Sequence, residues 1–161
     1  MPHVTFVKKA RKDNPVAKKG ESYYWWAFMV GGRGGPKHYS KTPPRPSQLT
    51  QSEFLGSLYG LQERIEDLEA NDGLGAAVEE IASELRDLGQ EQSDKKDNMP
   101  DGLQEGATGE LLQERADACE AAADELEGIT FDVADKEGEQ TDDEYWEEKL
   151  DEVQAVSIDA S

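Results

Sequence analysis

Charge is segregated along this chain, and that limits what each part can fold into. Residues 1–50 carry ten basic side chains and two acidic ones, Asp13 and Glu21, for a net of +8. Residues 51–161 hold 34 acids against seven bases, a net of −27. A segment with so much charge of one sign stays expanded unless its apolar side chains collect into a narrow stripe that neighbouring elements share. Leu, Val, Ile and Phe together number 29 of 161 residues, below the roughly 20% that an ordinary globular core requires. Thin helical packing is therefore expected for the acidic part, and a large catalytic α/β domain is excluded. The single Cys119 permits no internal disulfide and points to a reducing compartment. No run of about 18 apolar residues occurs, and the basic start Lys8, Lys9, Arg11 leads into no apolar signal segment. A soluble, cytoplasmic chain with no membrane partner is expected.

The basic segment, residues 1–41, reads as β structure. Val4-Thr5-Phe6-Val7 is short and β-branched, and Tyr23 to Val30 is a run of side chains that prefer strands. Gly31-Gly32-Arg33-Gly34-Gly35-Pro36 reads as a turn and Lys37 to Ser40 as a return strand, which gives a three-stranded antiparallel meander. Alternation places Tyr23, Trp25, Ala27 and Met29 on one face and Tyr24, Trp26, Phe28 and Val30 on the other. Both faces are apolar, so at least one needs a cover or serves as a contact surface.

Thr42-Pro43-Pro44-Arg45-Pro46 marks residues 42–49 as an extended spacer. The capping-box spacing Thr50-Gln51-Ser52-Glu53 then opens a helix. Phe54, Leu58, Leu61, Ile65 and Leu68 follow at heptad steps; after Asn71-Asp72-Gly73 the steps repeat in Leu74, Val78, Ile81, Leu85 and Leu88. Residues 50–89 thus read as a helical hairpin, with a seam that also allows a homo-oligomer. Residues 90–107 are polar and rich in breakers, which reads as a loop. An acidic helix is expected over 108–131, with a seam of Leu112, Arg115, Cys119, Ala122, Leu126 and Ile129 whose small members admit a close neighbour. Over 132–161 the box Thr141-Asp142-Asp143-Glu144 opens a short acidic helix, and Ala155 to Ser161 are expected to fray. The fold class is α+β, mainly α: a small N-terminal antiparallel sheet, a heptad-patterned hairpin and further acidic helices.

Candidate chemistry is sparse. His3, His38 and Cys119 are the only side chains of their kinds, no strand-to-helix phosphate loop occurs, and the glycine run is better explained as a hairpin turn. No catalytic, cofactor-binding or metal-ligating residue is assigned, and an enzyme is the last of the readings. Two binding functions remain, beside a third reading as a structural coiled-coil assembly protein whose heptad seam is the interface. In the basic half, Lys8, Lys9, Arg11, Trp25, Trp26, Arg33 and Lys37 suit nucleic acid over residues 1–45, the cations on phosphates and the rings on bases. In the acidic half, Glu63, Glu66, Asp67, Glu80, Glu84, Asp87, Glu114, Asp117 and Asp124 suit a rigid polyanion that occupies the basic groove of a nucleic-acid-handling protein such as a nuclease. A helix rises about 1.5 Å per residue, and duplex DNA presents one charge per about 1.7 Å.

From Val4 to about Leu61 the order of elements resembles the arm-site DNA-binding domain of phage-type integrases. The likeness runs through Gly20-Glu21-Ser22-Tyr23-Tyr24-Trp25, the glycine turn, Lys37-His38-Tyr39-Ser40 and the helix after Thr50. It implies a binding role alone, because no catalytic domain follows. The acidic composition, basic β start and capped heptad helices also resemble small bacteriophage accessory proteins. That resemblance implies a non-enzymatic inhibitor of host machinery, of the anti-CRISPR or anti-restriction kind, acting in the host cytoplasm.

Overall fold

The computed structural model describes residues 1–136 and 140–158. It is α+β and mainly α, with β1 (Thr5–Val7), β2 (Tyr23–Val30) and β3 (Arg33–Ser40) followed by α1 (Glu53–Glu66), α2 (Leu74–Asp97), the single turn α3 (Asp101–Gln104), α4 (Ala107–Glu127) and α5 (Asp142–Ala155). Contacts divide the chain into Met1–Gly60 and Leu61–Ser161, and α1 runs across the division.

In the first unit the strands form the expected meander in the order β1-β2-β3. Thr5 lies opposite Trp25, and Trp25 opposite Tyr39. The turn is tighter than the glycine run suggests. Val30 pairs with Arg33, so only Gly31 and Gly32 form the loop, at φ 57° and 78°. Positive φ at both positions is what a two-residue hairpin matched to strand twist needs. Arg33 to Pro36 belong to β3, and a register shift between Ala27 and Met29 lets Pro36, which has no amide to donate, sit at an irregularity of an edge strand.

Between β1 and β2 the chain forms an ordered loop. The Asn14 Oδ1 accepts the amides of Val16 at 3.0 Å and Ala17 at 2.8 Å. Asp13 accepts the Lys19 amide at 2.7 Å and Glu21 the Lys18 amide at 2.8 Å. The two acids of the basic segment are thus spent on holding the loop, while Lys8, Lys9, Arg11, Lys12, Lys18 and Lys19 stay exposed. The Lys18 amide, and then Lys41 at 3.2 Å, hold the Glu21 carboxyl below its ordinary range.

Two boundaries shift near the spacer. Pro46–Leu49 winds into a 3-10 turn instead of staying extended, and α1 is capped by Ser52, not Thr50. The Ser52 hydroxyl accepts the Leu55 amide at 3.3 Å, whereas the Thr50 hydroxyl accepts the Ser52 amide. The hydroxyl nearer the first turn takes the orphan donor.

The second unit is built on α2 and α4, which run antiparallel, since Arg86 meets Asp124, Gly89 meets Ala116 and Cys119, and Lys96 meets Gln113. Whereas the seam over residues 50–89 reads as a hairpin of the first two helices, the long partner of α2 is α4. Leu74, Val78, Ile81, Leu85 and Leu88 are buried with Ala116, Cys119, Ala122, Ala123 and Leu126. The small stripe does what the sequence suggests. A Cβ on Gly89 would stand 3.1 Å from the Ala116 carbonyl oxygen and 3.2 Å from the Cys119 Cβ, so the backbones meet closely there. Since these seam residues are buried within one chain, they offer no surface to a second copy unless the pair opens.

Gly89 does not end α2, which continues to Asp97 through half of the expected loop. The reason is tertiary. Gln92 occupies the next seam position at 1% exposure, Lys96 donates to the Gln113 side chain at 2.8 Å, and the Asn98 side chain closes the end on the Asp94 carbonyl at 2.7 Å. Contacts of this kind override a glycine that costs only about 1 kcal/mol.

At the other end of the unit the Thr141 box is formed. Glu144 donates its amide to the Thr141 hydroxyl at 3.3 Å and accepts the Thr141 amide at 2.9 Å, and Tyr145, Trp146 and Val153 are buried. The expected fraying is not seen at residues 156–158. Val156 and Ile158 are buried, and the Gln62 side chain donates to the Ile158 carbonyl at 3.0 Å. The Gln154 amide reaches the Ile65 and Glu66 carbonyls, each at 3.4 Å, at the end of α1 where intrahelical donors run out. Residues 159–161 lie outside the described residues.

Candidate functional site

Carboxylates on α2 form a straight row. Glu80, Glu84, Asp87, Glu91 and Asp94 are all exposed and recur at steps of four and three, so they share one flank of the helix beside its buried seam. At about 1.5 Å per residue the row spans roughly 21 Å. Arg64 enters it at one end, with its guanidinium 2.5 Å from Glu84 and 3.6 Å from Glu80. Lys95 lies 2.6 Å from Glu91. Two cations against five carboxylates leave the flank at −3, with the paired side chains held in place.

The sequence reading includes Glu80, Glu84 and Asp87 but misses Glu91 and Asp94, because a helix ended at Gly89 cannot extend its own charge row. The signal was the unbroken spacing 80, 84, 87, 91, 94. The other expected acids are distributed differently. Asp117 and Asp124 lie on the opposite flank, where Arg86 of α2 reaches Asp124 at 2.5 Å and Glu127 at 2.8 Å. Gln113 donates to Asp117 at 2.7 Å. The hydrogen bonds from Arg86 hold the Glu127 carboxyl below its ordinary range. Glu114 is exposed on α4 away from Arg86, Glu63 and Glu66 stand in the last turns of α1, and Asp67 follows it. The nine expected acids therefore fall on two flanks and a helix end, with Glu114 apart from all three, not on one surface.

The basic set also divides. Trp26 is 4% exposed and stacked on His38 at 5.6 Å and 15°, so it is core and cannot stack on a base. Trp25, on the other face of the sheet, is half-buried, and the Lys37 ammonium sits 4.2 Å from its ring centroid. These two border a groove of about 870 Å³ between that face and the chain from Leu49 to Tyr59. Its walls include Phe28, Met29, Leu55 and Tyr59. Lys8, Lys9 and Arg11 belong to the ordered loop, and Arg33 to the hairpin tip.

Cys119 is fully buried between α2 and α4, and burial pushes its thiol up to about 11. The thiolate required of a nucleophile is thus suppressed. In native protein at pH 8, a thiol reagent should label Cys119 no faster than the global unfolding measured in parallel by circular dichroism. Rapid labelling under native conditions would contradict the packing described.

No helix among the described residues is long and apolar enough to cross a membrane. Compared with known protein families, curated proteins and solved structures, the chain matches none.

Proposed function

We propose that this chain is a non-enzymatic interaction module of the bacteriophage accessory kind. In this proposal it sets the acidic flank of α2 into the basic nucleic-acid groove of a host protein, in the host cytoplasm. The observation that carries it is the row Glu80, Glu84, Asp87, Glu91 and Asp94 on one flank of a 24-residue helix. With Arg64 and Lys95 paired into the row, its net −3 over roughly 21 Å is about half the linear charge density of one strand of a duplex, about one phosphate per 3.4 Å. The packing of α2 on α4 fixes their spacing before any partner arrives, so little ordering entropy opposes binding. Because the attraction is ionic and replaces phosphates, it weakens steeply with salt.

The test uses two immobilised proteins, the natural chain and a variant carrying Glu80→Gln, Glu84→Gln, Asp87→Asn, Glu91→Gln and Asp94→Asn. Lysate proteins retained by the first and lost by the second should be nucleic-acid-binding proteins, and duplex DNA should release them. Equal retention by both forms, or indifference to DNA, would remove this function.

A further inference from the structure

We propose that the sheet unit binds single-stranded nucleic acid, with one base entering the groove to stack on Trp25. This does not rest on the acidic flank. The Met1–Gly60 unit holds ten bases against Asp13, Glu21 and Glu53, a net of +7. Asp13 and Glu21 are engaged by backbone amides of the loop, and Glu53 does not border the groove. The cavity meets this charge with aromatic and aliphatic walls, Trp25, Leu55 and Tyr59 among them. Lys37 lines the groove beside these rings, and a cation next to stacking rings is the combination that holds unpaired bases.

Lys37 sets the mode of entry. Its ammonium covers the Trp25 ring at 4.2 Å, a cation–π contact that a base replaces by stacking while the freed ammonium meets the adjoining phosphate. Lys8, Lys9, Arg11 and Lys12, exposed on the ordered loop, add to the positive charge of the same unit. A slot between a sheet face and a chain segment admits a flat ring from its edge, and bases inside a duplex have no free face to offer it. The observations therefore favour a single strand over a duplex.

Gly34 supplies a clean obstruction. It borders the groove, and a Cβ there would meet nothing within 4 Å, so Gly34→Leu narrows the slot while leaving the packed sheet alone. Fluorescence anisotropy of labelled 12-nucleotide DNA and RNA single strands and of a 12-base-pair duplex, titrated with the full chain over a salt series, reads the result. Single-strand binding should weaken about tenfold or more in Gly34→Leu, the range of one lost base stack. In Lys37→Gln the slope of log K against log salt should fall by about one contact, a change that a purely structural role would not give. The DNA and RNA arms decide whether the sugar matters. Absence of single-strand binding, equal binding of the duplex, or binding unchanged by both substitutions would overturn the proposal. The α2 row variant should bind single strands at least as well as the natural chain, so the two functions fail separately.

Discussion

Gly89→Leu is expected to destabilise the helical unit by about 3 kcal/mol, the upper part of the usual range for overpacking. The first atom added already lies 3.1 Å from the Ala116 carbonyl oxygen and 3.2 Å from the Cys119 Cβ. Three more carbons have no room unless α2 and α4 separate. Separation would expose Leu85, Cys119, Ala123 and Leu126, all at 0% exposure, and each buried leucine contributes about 1.5–3 kcal/mol. Gly89→Ala is the informative companion. It gains about 1 kcal/mol of helix propensity and crowds the neighbours by only a few tenths of an ångström, so its net effect should be small. Urea unfolding followed at 222 nm checks the pair. A leucine variant within 1 kcal/mol of the natural chain would mean that the two helices are not in close contact at this point.

Trp26→Ala is expected to cost about 3–5 kcal/mol, the range for truncating a buried aromatic, and to abolish the ordered sheet. Trp26 is the buried centre of the basic unit, and His38 and Phe28 pack around it. Its indole Nε1 is buried with no hydrogen-bond acceptor among the described residues. Trp26→Phe therefore removes an unsatisfied donor together with some volume and should cost well under half as much. Near-ultraviolet circular dichroism and thermal melting separate the two. Equal losses would show that the indole N–H does have a partner. Loss of nucleic-acid binding in Trp26→Ala would report on the fold alone, which is why Gly34 and Lys37 carry that test.

Local chemistry explains where the sequence was legible. Tyr23 to Val30 could be little other than a strand, and Thr141 with Glu144 announced a helix start, because both signals are complete within a few residues. The small residues Cys119 and Ala122 of the expected seam likewise anticipated a close helix neighbour, though not which one. The departures all depend on distant partners. Gly89 reads as a stop until Gln92 and Lys96 are seen against α4. Val156 and Ile158 read as a loose tail until Gln62 takes the Ile158 carbonyl, 96 residues away. Trp25 and Trp26 are equivalent in composition, and only packing makes one core and the other a groove wall. The row of carboxylates on α2 was legible in part. Ending α2 too early cut the row at Asp87, and charge alone could not tell that Asp117 and Asp124 face Arg86 on the opposite flank.

If the α2 carboxylates act as a fixed stand-in for phosphates, as proposed, the chain and duplex DNA exclude each other on the partner, and mutual exclusion is the most direct test. A captured host partner is loaded with labelled duplex DNA and titrated with the natural chain or with the five-residue row variant, and the bound DNA is followed by anisotropy. The natural chain should displace the duplex completely, at a concentration that rises steeply with salt, and the neutralised variant should leave it in place. A ternary complex of chain, partner and DNA, or displacement by both forms alike, would contradict the account.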